Sequence, residues 1–355
     1  MLSPSPPWGW LTAAAFSNLG ITVDSRFNLV SFGDIRIARS VSGVGINGIS
    51  VSSLTFKCSG ADAAAMTGSG LAAPVVVSGI ANLPTFYIDE RAENDDIWTV
   101  SCVDVCACLD KPITGLTASN GQYLMSAVFD KLKADCNVSQ ISVPSGLPTY
   151  INREKIDGKT YQSVLQEISE SYCGFWCSHY TNTIEFVSYN QIQSGETLTN
   201  YSKVHTKGSF AYSSVQVTNG TENASWGSGD PALKISNDFA DVTNSNLYSG
   251  IPNHNFYGWS IDKAISPSAE LPLIGGILTM NNTNYRVTKS GCYVAGNSLI
   301  ISAGGDIPQY GEINRRGLLQ QRLDNAVSTD KTYGTIKPTN DKDLGFVATP
   351  NQTGA

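Results

Sequence analysis

The stretch from Asp157 to Tyr189, DGKTYQSVLQEISESYCGFWCSHYTNTIEFVSY, decides how the rest of the chain is read. Tyr161, Val164, Leu165, Ile168 and Tyr172 stand at offsets of 3, 4, 7 and 11 from the first of them. At about 3.6 residues per turn this makes one apolar stripe of a helix. Asp157 or Thr160 offers a side-chain oxygen to the first free N–H groups, and Gly174 is expected to supply the left-handed residue that ends the helix. Two short aromatic and β-branched runs follow, Phe175 to Ser178 and Ile184 to Tyr189, joined by the turn Thr181-Asn182-Thr183. They predict a hairpin. A helix laid on a hairpin is a packing unit, and no catalytic motif lies inside it.

Working outward, the chain on either side reads as strands. Toward the N-terminus the runs are Ile21 to Val30, Ile35 to Ser42, Ile49 to Cys58, Val75 to Ile80, Phe86 to Arg91 and Ile97 to Val103, separated by Gly and Asn clusters. Ala92-Glu93-Asn94-Asp95-Asp96 is the expected hairpin tip between the last two, and Asp104 can cap a short helical turn that ends before Pro112. A second helix is expected over Asn120 to Asp135, with Asn120 as cap and Leu124, Val128 and Leu132 in register. Beyond Ser202 strands return: Val204 to Lys207, Ala211 to Thr218, Ala232 to Ile235, Gly258 to Ile265, Gly276 to Met280, Asn284 to Ser290 and Ser298 to Ser302. Asn219 to Pro231 and Asp238 to Pro252 read as long loops. The division expected is a β-domain over 1–115, an α+β insertion over 116–190, a second β-domain over 191–310, and a C-terminal helix and tail over 311–355.

The 355 residues can bury more than one core without metals or disulfides. Charged residues make up 15%, and the formal net charge is −7. That balance excludes a protein that grips phosphate backbones, which needs clustered Lys and Arg. Met1 to Trp10 carries no basic residue and three prolines, so no secretory signal is read there. Leu271 to Leu278 is too short and too interrupted by Pro272 and Gly275-Gly276 for a membrane anchor. The sequons at Asn137, Asn200, Asn219, Asn223, Asn281 and Asn351 carry no weight without an export route.

The candidate chemistry is sparse. Cys102, Cys106 and Cys108 lack the spacing of a zinc knuckle, and Cys173, Cys177 and His179 lack an evident fourth ligand; both groups are read as packing, with no metal and no cofactor. Asp89-Glu90 and Asp95-Asp96 could suggest a glycosidase pair, yet neighbours on a strand point to opposite faces, and Asp95-Asp96 suits a solvated tip. His179, His205 and His254 are too far apart in sequence to define a triad. Trp226, Tyr248, Phe256, Tyr257 and Trp259 could form a sugar-binding face, which makes a carbohydrate-binding β-protein the alternative reading; core packing or subunit contact is the plainer one.

Taken in order, these elements resemble the baseplate hub or tail-tip proteins of tailed phages and phage-like contractile injection particles. Three stretches carry the likeness. Asp34 to Ser59, with Gly48-Ile-Ser-Val-Ser-Ser-Leu-Thr-Phe56, looks like the opening hairpin of such hubs. Phe86-Tyr-Ile-Asp-Glu-Arg91, through Ile97 to Asp104 and on to Leu109-Asp-Lys-Pro112, is similar to their strand, hairpin, strand and Asp-capped turn. Tyr161 to Tyr189 looks like their helix, glycine stop and hairpin.

The resemblance implies a mainly β chain with an α+β insertion, two β-barrel-like domains flanking the helix-hairpin module. It implies a non-enzymatic homotrimer at the tail tip of a virion or phage-like particle, assembled in the bacterial cytoplasm. Two barrels per subunit would give six similar positions around an axis, so that a threefold hub meets a sixfold tail tube. The expected partners are the tail tube or a distal tail protein, a spike or tip protein, and the tape-measure protein. The acidic balance would suit a lumen through which DNA or tape-measure protein slides. No peptidoglycan-cleaving domain is read after residue 311, so wall degradation would fall to a partner. The helix expected over Glu312 to Val327 offers Ile313, Arg315, Arg316, Leu319 and Arg322 as a docking face.

Overall fold

The computed structural model describes residues 21–31, 35–41, 48–61, 74–189, 195–220, 222–237, 239–252, 254–295 and 298–307. The expected docking residues Ile313, Arg315, Arg316, Leu319 and Arg322 lie outside these.

Strands from both flanks of the helix-hairpin module join in one ten-stranded sheet. Its order is His205–Phe210, Phe256–Ile265, Ser298–Gly305, Lys289–Ala295, Arg36–Ser40, Val51–Ala61, Ile97–Asp104, Phe86–Asn94 and Pro74–Val75, with Phe27–Leu29 pairing beside Val51–Ala61. The seam is antiparallel, with Cys292 opposite Ile37 and Gly291 opposite Ala38. The chain is mainly β, as expected. The sheet order is an open path, however, and no closed barrel forms among the described residues. Edge-to-edge pairing of the two flanks takes the place of separate closure.

The helix-hairpin module is a second layer against this sheet. Thr160 caps the helix Tyr161–Ser171: Ser163 N–H donates to Thr160 Oγ1 at 3.2 Å, and Thr160 N–H to Ser163 Oγ at 3.1 Å. These reciprocal bonds hold two N–H groups that the first turn leaves free. Asp157 accepts instead from Tyr123 Oη at 2.7 Å and Arg153 Nε at 2.5 Å. The hairpin strands Gly174–Cys177 and Thr183–Ser188 pair antiparallel, flanked in parallel by Gly48–Ile49 on one side and Gln140–Ser142 on the other. After Ile49 the chain passes Ser50, whose N–H donates to Trp176 O at 2.7 Å, and enters the large sheet at Val51. One strand junction thus ties the two layers together.

Because strand side chains alternate, the hairpin has two inner faces. Phe175, Cys177 and Val187 enter the apolar core of the large sheet, beside Ile37, Leu54, Phe56 and Ile301. Trp176 and Ile184 enter the core beneath the helices, with Phe129, Leu132, Leu165 and Ile168. Trp176 is fully buried, and its Nε1–H donates to Leu165 O at 2.8 Å. The hairpin is therefore the middle slab of the molecule.

Three local expectations are corrected. Gly174 does not end the helix: Cys173 takes the left-handed conformation (φ 49°), while Gly174 lies in the strand, where a Cβ would stand 2.4 Å from Val187 O and Phe186 Cζ. Close approach, not a positive φ, requires the glycine. Asn120 does not cap a helix either. It forms a left-handed turn with Gly121, so that Gln122–Leu124 can pair with Tyr150–Asn152, and the helix runs from Met125 to Cys136. The expected loops hold structure: Asn223–Gly227 is a strand of a three-stranded sheet with Ser214–Thr218 and Ala232–Ser236, and Ser245–Tyr248 is one helical turn. That second segment and the residue before it cover the polar side of the helix Tyr161–Ser171, with Tyr248 Oη donating to Ser171 O at 2.7 Å and Asn237 Nδ2 to Glu170 Oε2 at 3.0 Å.

Candidate functional site

The hairpin tip brings together a thiol, an imidazole and a carboxylate. Cys177 and Glu185 are cross-strand partners, so both project from one face of the pleat. His179 follows two residues beyond Cys177, where the strand has ended. Its Nδ1 lies 3.6 Å from Cys177 Sγ and 3.5 Å from Glu185 Oε2, and one ligand atom from each of the three lies within 4.8 Å of the others. Among the described residues no other group of His, Cys, Asp or Glu side chains is so placed. His179 and Cys177 are buried, while the Glu185 side chain keeps 23% of its surface open.

Burial sets the protonation of this cluster. It depresses His179 to about 4, against the pull of Glu185, so the imidazole is neutral near pH 7. Burial, reinforced by Glu185, pushes the Cys177 thiol well up, while Arg39 pulls it down. Arg39 is itself fully buried; its Nη2 donates to Asn82 O at 2.9 Å and Leu271 O at 3.3 Å, and its Nε and Nη1 have no hydrogen-bond partner among the described residues. Desolvation lowers it to about 10, which leaves it charged. Asp104 sits in the same interior and accepts from Ser52 N–H at 2.7 Å and Cys106 N–H at 3.0 Å. It is the expected cap of the short helical turn Val105–Asp110 and also a tie to the neighbouring strand.

Two of the three expected cluster members meet, and the third does not. Cys173 turns into a separate core with Tyr189, Val215 and Tyr248. Glu185 takes its place, and the signal for it was the hairpin register: pairing Gly174 with Ser188 sets Cys177 opposite Glu185. Cys102 and Cys106 are buried in two different apolar cores, with Cys108 packed at the margin of the second. Asp95 and Asp96 form the exposed two-residue tip between Asn94 and Ile97, both at positive φ, and Asp89 and Glu90 are exposed beside a bulge. His205 lies on an exposed strand and His254 packs on Tyr189 and Phe256, so the three histidines do not converge.

A mainly apolar pocket lies at the far end of the hairpin. It is a cavity of about 290 Å³ lined by Tyr189, His254, Phe256, Tyr257, Asn284 and Arg286 among others. Arg286 Nη1 donates to Tyr189 O at 2.6 Å, and its guanidinium carbon lies 4.0 Å from the centre of the Tyr189 ring. Of the aromatic residues proposed for a sugar face, Trp259 and Tyr248 are fully buried and Phe256 nearly so; Trp259 Nε1–H is spent on Arg286 O at 2.8 Å. Of the other two, Tyr257 is exposed, at 58%, and Trp226 is half-buried. No helix among the described residues is long and apolar enough to cross a membrane.

No protein-family profile matches the sequence, and no curated protein matches it. Solved structures do. The 43 kDa tail protein of prophage MuSo2 from Shewanella oneidensis is similar at 14% identity and a TM-score of 0.50, over 81% of this chain and 97% of that one. The prophage tail protein gp18 from Listeria monocytogenes gives 9% identity and a TM-score of 0.49, over 86% and 99%. A tail protein from Neisseria meningitidis gives 11% and 0.49, over 81% and 96%. The chain thus has the fold of the MuSo2 tail protein along nearly all of that protein's length, and the resemblance to tail proteins read in the sequence holds at the level of fold.

Proposed function

We propose that this chain is a structural component of a phage or phage-like tail, the hub that joins the sixfold tail tube to a threefold spike or tip, acting as a homotrimer without enzymatic activity. The observation that carries the reading is the shared fold with the MuSo2 tail protein over 97% of that protein. The architecture is compatible with it. The strand His205–Phe210 ends the large sheet, and its first five residues are exposed, so its outer hydrogen-bonding edge is open to a neighbouring strand. Contacts to the tail tube or a distal tail protein, to a spike, and to the tape-measure protein belong to the same proposal, as does assembly in the bacterial cytoplasm and residence in the particle. The segment read as a helix over Glu312 to Val327 belongs to the same proposal, as a docking element for a spike or another tail protein.

The carbohydrate-binding alternative is weakened by the burial of Trp259, Tyr248 and Phe256, which leaves no exposed aromatic platform at those positions. Light scattering on the purified full chain, with and without the tail-tube protein of the same particle, tests the hub. A trimer alone, or a trimer formed on the tube, is expected. A chain that stays monomeric and unbound under both conditions would overturn it.

A further inference from the structure

We infer that Cys177, His179 and Glu185 form a site for one zinc-class divalent cation, held by thiolate, imidazole and carboxylate with a fourth position open beside Glu185. The distances carry this. Zinc binds sulfur at about 2.3 Å and nitrogen or oxygen at about 2.0–2.2 Å. The edges of such a tetrahedron are then about 3.6 Å for sulfur to nitrogen and about 3.4 Å for nitrogen to oxygen. The observed separations are 3.6 Å from Sγ to Nδ1 and 3.5 Å from Nδ1 to Oε2. The second is too long for a good hydrogen bond, which lies near 2.7–3.2 Å for N–H···O. The Sγ–Nδ1 contact also serves as a hydrogen bond without the ion, and the third edge, Sγ to the Glu185 carboxylate, lies within 4.8 Å, so all three atoms are within reach of one ion.

The chemistry agrees with the spacing. A neutral imidazole has a lone pair to give, and thiolate with imidazole selects zinc over magnesium or calcium. Binding displaces the Cys177 proton to solvent, and the two anionic ligands balance the dication. Glu185, the one ligand open to solvent, gives the ion its way in. The ligands come from both strands of the hairpin and from its turn, so the ion would close the tip on which Tyr180 stands exposed. This holds whether or not the chain is a tail hub.

The test is a titration of chelator-treated, reduced full-length protein with Co²⁺, followed by competition with Zn²⁺. One Co²⁺ per chain is expected, with the visible bands of a tetrahedral site and a thiolate-to-cobalt charge-transfer band that Zn²⁺ abolishes. Zn²⁺ should also raise the thermal midpoint of the wild type. Cys177→Ser should lose the charge-transfer band. Because Glu185 is partly exposed, Glu185→Gln should fold as the wild type does in chelator, yet bind at least about tenfold more weakly, since even outer-shell partners are worth that much. No saturable binding by the wild type, or the same affinity and spectrum in Glu185→Gln, would overturn the assignment.

Discussion

The molecule contains two hairpins of similar build with opposite fates at their tips. Phe86–Asn94 and Ile97–Asp104 meet at Asp95-Asp96, both exposed. Gly174–Cys177 and Thr183–Ser188 meet at a tip whose Ser178 and His179 are buried, and whose Asn182 is held from outside: Tyr87 Oη donates to Asn182 Oδ1 at 2.7 Å, and Ser139 N–H and Oγ–H both donate to Asn182 O at 2.9 Å. Both tips carry acceptor side chains. Only the second shields them in part from water, and only there, among the described residues, do a thiol, an imidazole and a carboxylate converge. Enclosure by elements distant in sequence, rather than residue type, separates a candidate site from a solvated turn.

That contrast is broken most severely at Trp176, the fully buried pivot between the slab and the helices. Trp176→Ala should destabilise the protein by about 3–5 kcal/mol, read from the urea midpoint, because it opens a large cavity and removes the Nε1–H bond to Leu165 O. A cost below about 1 kcal/mol would mean that the hairpin is not the middle layer.

Asp104 comes next, since it links the end of the first hairpin to the interior beside the second. Asp104→Ala leaves the Ser52 and Cys106 N–H groups without an acceptor and should cost about 2–4 kcal/mol. Its pH dependence has a definite sign. Burial raises this carboxyl from 3.8 to about 7 in the fold. Between those values the native chain holds a proton that the unfolded chain has released, so stability falls as pH rises through that window. Asp104→Asn should be less stable throughout, having one acceptor oxygen instead of two, with a shallower slope; an unchanged slope would assign the dependence to other groups.

Gly174 sharpens the comparison more gently. Gly174→Ala places a methyl against Val187 O and the Phe186 ring, and should cost about 1–3 kcal/mol in denaturant unfolding. Cys173→Gly, by contrast, relieves a left-handed non-glycine residue but empties a buried side chain, so it should not gain the stability that an exposed left-handed site would.

What could be read in the sequence follows the same divide. The helix Tyr161–Ser171, its Thr160 cap, the Asp104-capped turn and both hairpins were legible because each depends on neighbours within a few residues. The seam between Lys289–Ala295 and Arg36–Ser40 was not, because antiparallel pairing across some 250 residues leaves no local mark on apolar strands that would serve equally in separate sheets. The strand Asn223–Gly227 was missed for a related reason: alternation in Asn-Ala-Ser-Trp-Gly is faint, and its pairing with Ser214–Thr218 supplies what propensity lacks. At the site, Cys177 and His179 stood out as residue types. Glu185 did not, since only the register of the hairpin brings it opposite Cys177.

The smallest effect is expected at the solvated tip, and it has the opposite sign. Asp95 and Asp96 both hold positive φ, 51° and 64°, between paired Asn94 and Ile97, the geometry of a two-residue turn that favours Asn-Gly. Asp tolerates the left-handed region less well than Gly does. Replacing the pair by Asp95→Asn and Asp96→Gly should therefore raise stability, by at most about 1 kcal/mol. Both residues are exposed, so little packing is lost. The matching change at the other tip, Asn182→Gly, also relaxes a residue at positive φ, 50°, yet it removes the acceptor for Tyr87 Oη. A gain at the first tip together with a loss at the second, measured by urea unfolding, is the expected pair. Equal gains at both would mean that the contacts from Tyr87 do not hold the second tip, and that its enclosure rests on the strands alone.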